Sequence, residues 1–162
     1  MKRVFLKIIQ PTLQKHWVAD AIFAAIRFTA GMLLALDFGA SKFGMPWTPS
    51  GQNLSLFEVA AWFPEDVASY GGIFAAMPIF FAWMGAFSEA VGGLFLAFGL
   101  KTRVASFLIM CTMLVAIFMQ KWDQGTWNML PAMSFLWVAI YHVYLGSGRF
   151  GLDNLWCKLL KR

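Results

Sequence analysis

From Ile73 to Gly99 the chain carries one charged side chain, Glu89, in an otherwise apolar run. As a helix rising about 1.5 Å per residue, such a run is long enough to cross about 30 Å of hydrocarbon. A carboxylate inside it is costly in lipid and has to face protein or a polar cavity. The chain must therefore fold so that a membrane helix turns Glu89 toward its neighbours.

Three more apolar runs accompany it, at about 20–42, 104–120 and 127–145. The composition agrees. Apolar residues make up 60% of the chain and charged residues 13%, against about 25% charged in soluble domains. The expected fold is all-α: an integral membrane four-helix antiparallel bundle, one domain over residues 1–162. The short link Leu100–Arg103 makes the second and third spans antiparallel neighbours. No internal repeat stands out.

Residues 43–72 are rich in turn formers: Gly44, Pro46, Pro49, Gly51, Pro64 and the Gly71-Gly72 pair. Within them, Leu54–Phe63 is too short to span and is expected to form an interfacial or re-entrant helix in the first periplasmic loop. At the N-terminus, Phe5, Ile8, Ile9 and Leu13 share a helical face apart from Lys2, Arg3 and Lys7, as in an amphipathic segment on an anionic leaflet. Lys7 and Pro11 break the pattern of a cleaved signal peptide. The tail from Asn154 to Arg162 reads as a second amphipathic segment.

The net charge of +5 reflects topology rather than nucleic-acid binding. Lys2, Arg3, Lys7, Lys15, Lys101, Arg103, Arg149, Lys158, Lys161 and Arg162 fall on one side of the four spans, and Lys42 and Lys121 on the other. The positive-inside rule then makes both termini cytoplasmic. This fits a multi-pass protein of a bacterial cytoplasmic (inner) membrane.

Intramembrane charges tend to pair within a bundle. Arg27 lies about 10–13 Å in from the cytoplasmic start of the first span, and Glu89 about 15 Å from the cytoplasmic end of the second. The matching depths predict an Arg27–Glu89 ion pair. Gly85, Ser88, Gly92 and Gly93 flank Glu89, and Ala24, Gly31 and Ala35 share a stripe with Arg27, so the helices can approach closely. Such a pair either fixes helix register or lines a pocket for a quinone or another small ligand.

Asp37, deeper than its neighbours, is a further candidate in an outer polar cluster with Ser41, Lys42, Lys121 and Asp123. The bland reading of Lys42, Lys121 and Asp123 is interfacial anchoring. His142, beside Tyr141 and Tyr144, is read as an interfacial histidine or a proton or headgroup contact. One membrane histidine does not supply both axial ligands of a b-type haem. Met110, Met113, Met119 and Cys111 are read as packing rather than a copper site, and no metal site is assigned. Cys111 and Cys157 form no CxxC, which argues against dithiol chemistry.

Several stretches together carry a resemblance. They are Arg27-x3-Gly31 and Gly39-x2-Lys42; Ser88-Glu89-x2-Gly92-Gly93; Gly99-Leu-Lys-Thr-Arg103-x-Ala105; Met113-x2-Ala116; and Gly146-x-Gly148-Arg149-x3-Asp153. The chain resembles the DoxX family of small four-span membrane proteins, which includes DoxX/DoxD-type membrane subunits of thiosulfate:quinone oxidoreductase. Gly151 departs from the serine often found before Leu-Asp in that family.

The resemblance implies a membrane subunit of a quinone-linked redox complex, with a polar pocket around Arg27 and Glu89 and with Asp37 and His142 as further candidates. No covalently bound cofactor is expected. Quinone is the cofactor the reading leaves room for, and any other redox centre would lie on a partner protein. The alternative is a non-enzymatic scaffold or assembly partner in a sulfur- or copper-related system. The expected partners are the lipid bilayer and a protein in a membrane complex, with no nucleic acid; homo-oligomerisation is left open.

Overall fold

The computed structural model describes residues 10–160, and the N-terminal amphipathic face at Phe5, Ile8 and Ile9 lies outside them. Four helices are long and apolar enough to cross a membrane. The first, α1, runs Trp17–Leu33 and continues through a π-helical turn, Leu34–Gly39. Two short helices follow in the connection, α2 (Trp62–Ser69) and α3 (Gly72–Ala76). The second span is α4 (Pro78–Phe98). The third is α5 (Thr102–Val115), which also ends in a π-helical turn, Ala116–Gln120. The fourth is α6 (Thr126–Leu145), and α7 (Leu152–Leu160) closes the described chain.

Two predicted boundaries move. The run expected as one span from Ile73 breaks at Met77, whose φ of −139° and ψ of 56° are not helical. Pro78 is the cause: its ring disfavours helical backbone at the preceding residue, yet it suits the first turn of the helix it begins. The helix expected at Leu54–Phe63 starts only at Trp62. Asn53 and Phe57 have positive φ, and Val59 instead bridges Phe43 in antiparallel fashion.

In the bundle α4 packs against both α1 and α5, and α6 packs against α5 and α1. One core cluster joins Leu34, Leu96, Ile109, Met113, Phe135 and Ala139. A second, under α2, joins Phe43, Phe63, Val67, Ala82, Ala86 and Ala90.

The α1–α4 seam is built from small residues. A Cβ placed on Gly31 would meet backbone atoms of Gly93 and Ala97, and one on Gly39 would meet backbone of Ala90 and Glu89. This close approach fixes the antiparallel register. The end of α1 lies level with Glu89, and its first half lies level with the end of α4.

Where α4 ends, Gly99 adopts φ +69°, its N–H bonds Leu96 O at 3.1 Å, and the Leu100 N–H bonds Phe95 O at 2.9 Å. That pair of bonds is a Schellman closure. Lys101, also left-handed at φ 43°, then starts α5 without a side-chain cap of its own. The carboxylate of Asp153 on α7 supplies the cap. It accepts from the N–H groups of Lys101 (2.7 Å) and Thr102 (2.8 Å) and from the Thr102 hydroxyl (2.9 Å). The Gly-Leu-Lys-Thr stretch is therefore a tight reversal locked by a residue from the tail.

Candidate functional site

The α1–α4 register brings Lys42, three residues beyond the π-helical turn of α1, to Glu89. Lys42 Nζ donates to Glu89 Oε1 at 2.9 Å and to Oε2 at 2.7 Å. The Glu89 side chain is only 4% exposed and that of Lys42 15%. The ammonium also lies 5.1 Å from the centre of the Phe63 ring, within cation–π range.

The predicted Arg27–Glu89 pair does not form. Among the described residues, the ion pairs are Lys42–Glu89 and Arg149–Asp20, the latter at 3.1 Å. The expectation took Asp20 and Gly99 to mark one membrane plane. In fact α1 starts beyond the end of α4: Asp20 sits against Arg149 in the tail, and Arg27 packs against Gly99. Arg27 is therefore about a dozen residues of α1 away from the level of Glu89. It is buried in the electrostatic field of Asp153, and its Nε and Nη1 have no hydrogen-bond partner among the described residues.

His142 lies at that same end, buried and within electrostatic range of Arg27, with Nδ1 2.8 Å from Val138 O. Asp37 is exposed on the π-helical turn. Of the four candidate residues, Arg27 and His142 thus share one end of the bundle, Glu89 belongs elsewhere, and Asp37 joins neither group.

Glu89 and Lys42 lie at the edge of a cavity of about 350 Å³. Its walls come from the connection after α1 and from the second and third spans. α2, α3 and the turn between them give Phe63, Val67, Tyr70 and Phe74; α4 gives Phe80, Phe81, Met84, Gly85, Ser88 and Glu89; α5 and the π-helical turn after it give Leu108, Cys111, Thr112, Val115, Ala116 and Gln120. The walls are mostly aromatic and aliphatic. Ser88 and Thr112, whose hydroxyl oxygens are 2.5 Å apart, tie α4 to α5 beside it. One π-helical turn carries Ala116 and Gln120 of the cavity wall, and the other ends three residues before Lys42. Such turns re-aim side chains and are frequent at functional sites.

Over the cavity, Asp66 Oδ2 accepts from Tyr70 Oη at 2.7 Å and from Gln120 Nε2 at 2.8 Å. This fastens α2 to the end of α5. Burial pushes the Tyr70 phenol well above the ordinary tyrosine range, and the Asp66 carboxylate adds to the shift. Tyr70 is therefore a neutral donor at ordinary pH.

Sequence reasoning read Lys42 as an anchor and missed Asp66, Tyr70 and Gln120. The Gly39-x2-Lys42 spacing held the clue for Lys42, because a glycine at a close helix crossing fixes which residue comes level with Glu89. Asp66 and Gln120 carried no such clue, since their meeting depends on how a loop helix folds back.

No group of three or more His, Cys, Asp or Glu side chains among the described residues is arranged to hold a metal ion. A cavity of this size, mostly apolar with a few polar groups at one end, suits one ring-sized head group. Lys42 and Gln120 carry N–H groups that can donate and Glu89 is an acceptor, while the O–H of Tyr70 is taken by Asp66.

The DoxX family model matches residues 25–122. The chain belongs to the DoxX family. All residues lining the cavity fall inside the matched segment of this DoxX protein, as does Arg27, whereas His142 and Asp153 lie beyond it. No curated protein and no solved structure matches the chain.

Proposed function

We propose that this DoxX protein is a membrane subunit of a quinone-linked redox complex, with the quinone head group held in the cavity beside Lys42 and Glu89. The observation that carries this is a buried ion pair at one end of an aromatic cavity within the spans. A purely structural pair has no need of an open volume against it.

A bound quinone supplies a two-electron, two-proton acceptor, which the chain's own side chains lack. Lys42 is placed to donate a hydrogen bond to a ring carbonyl. Glu89, ion-paired with Lys42, is placed to accept a hydrogen bond from a hydroxyl of the reduced ring. Phe63, Phe74 and Phe81 provide flat apolar walls that exclude water. The electrons come from a partner protein in the membrane complex. The Lys/Arg distribution supports an inner-membrane location with Lys15, Lys101, Arg103, Arg149 and Lys158 on the cytoplasmic side.

The test is quinone retention. Protein purified in mild detergent should carry quinone extractable by organic solvent, and Glu89→Gln should lower the amount while leaving a monodisperse, helical protein. Equal quinone in wild type and variant, or none in either, overturns the proposal.

A second reading is a scaffold or assembly partner. It is favoured by the way Lys42 engages both oxygens of Glu89. Under it, deleting this chain should deplete a stoichiometric membrane partner, and Glu89→Gln should lower that partner's level without any change in quinone.

A further inference from the structure

The cavity has two borders of opposite character. Toward the loop end, α2 closes it: Phe63 and Val67 are buried, and the Asp66 carboxylate joins Tyr70 to Gln120 across the top. Along the α4–α5 face it is open. Phe80 lines it and is 52% exposed. Cys111 lines it and is exposed as well, although it stands in the middle of the span Thr102–Gln120.

Leu108 and Val115, one turn to either side of Cys111, line the same cavity. They share its helical stripe, so Cys111 marks an opening in the cavity wall rather than a stray outward side chain. At about 1.5 Å per residue, that opening lies roughly 14 Å from either end of the span Thr102–Gln120, which is acyl-chain depth in a bilayer.

We infer that the ligand of this site reaches it sideways, from the acyl-chain region past Cys111, and that it is an amphiphile with a ring-sized head and a long hydrocarbon tail. This rests on reading the cavity as a ligand site. The volume of about 350 Å³ takes a head group and leaves no room for a long chain, so the tail stays in the opening and in the lipid. The Asp66 latch shuts the water-facing border. A polar, tail-less solute would have to cross the apolar mouth without a compensating partner, which is costly.

The experiment uses wild-type protein in liposomes, with labelling of Cys111 followed by peptide mass spectrometry. The probes are a lipid-soluble pyrene maleimide, a membrane-impermeant sulfonated maleimide, a fully substituted benzoquinone bearing a decyl chain, with no open ring carbon for a thiol to attack, and the same ring with a methyl group in place of the chain. The pyrene reagent should label Cys111 several-fold faster than the sulfonated one. The decyl quinone should slow labelling several-fold, and the tail-less ring should slow it far less.

Protection by the quinones together with equally fast labelling by the sulfonated reagent means access from water. That overturns the lateral route and leaves the ligand site standing. Labelling that neither quinone slows overturns the ligand site itself. Gln120→Ala, which opens the latch, should raise labelling by the sulfonated reagent several-fold and leave the pyrene rate unchanged. An unchanged sulfonated rate overturns the latch as the water-facing seal.

Discussion

Gly31 of α1 and Gly93 of α4 meet backbone to backbone: a Cβ on Gly31 would lie 2.5 Å from Gly93 O and 2.6 Å from Ala97 N. Neither backbone can yield without moving a helix, so Gly31→Ala should cost about 1–3 kcal/mol, the usual range for overpacking. Thermal unfolding in detergent should fall by several degrees. Gly85→Ala is the control, because its new methyl would sit 3.6 Å from the Phe63 ring, in ordinary contact. An unaffected Gly31→Ala would mean that α1 and α4 are not packed at this distance.

Breaking the Lys42–Glu89 pair from one side leaves a buried, unpaired charge. Lys42→Met alone should destabilise by about 3–5 kcal/mol, whereas Lys42→Met with Glu89→Gln should cost much less. A double-mutant cycle from chemical unfolding in detergent reads this directly. Additive single effects would show that the two side chains do not interact.

Asp153→Ala removes three hydrogen bonds at the start of α5 and the carboxylate whose field acts on Arg27. The loss should be about 1–3 kcal/mol, from an unsatisfied first turn. Thr102→Val deletes one of the three bonds and should cost about 0.5–1.5 kcal/mol. Equal losses for the two variants would argue against Asp153 as the cap. Both are measured by unfolding in graded denaturant.

Tyr70 gives the latch a pH dependence. Its folded-state pKa is raised, by burial first and then by Asp66, so folding favours the protonated phenol. The stabilisation is complete below the unfolded value of about 10 and is lost as pH rises through the folded value. The stability difference between wild type and Tyr70→Phe should be flat through neutral pH and shrink in strong alkali. A difference that grew there would reverse the sign and contradict the Tyr70–Asp66 bond.

The spans were legible in the sequence because length and apolar content decide them, and Glu89 was legible as an inward-facing charge for the same reason. Its partner was not. Pairing across two helices depends on register, and a depth count from span ends carries an error of several residues at each end. Here that error was enough to exchange Lys42 for Arg27. Gly31, Gly39 and Gly93 held the register information, yet small-residue spacing alone does not say which glycine meets which. The tail was harder still. Asp153 gave no local sign that it caps a helix fifty-one positions away, because its role exists only after α7 folds back onto the α4–α5 reversal.

That separation along the chain has a consequence for biosynthesis. A ribosome finishes α5 well before it makes Asp153, so the third span enters the membrane with the N–H groups of Lys101 and Thr102 still bonded to water or lipid head groups. The seam between the second and third spans is sealed only when the tail emerges and folds back. A nascent chain halted before Asp153 holds all four spans but leaves this turn without its cap. Asp153 thus closes that turn from among the last residues of the described bundle to be translated.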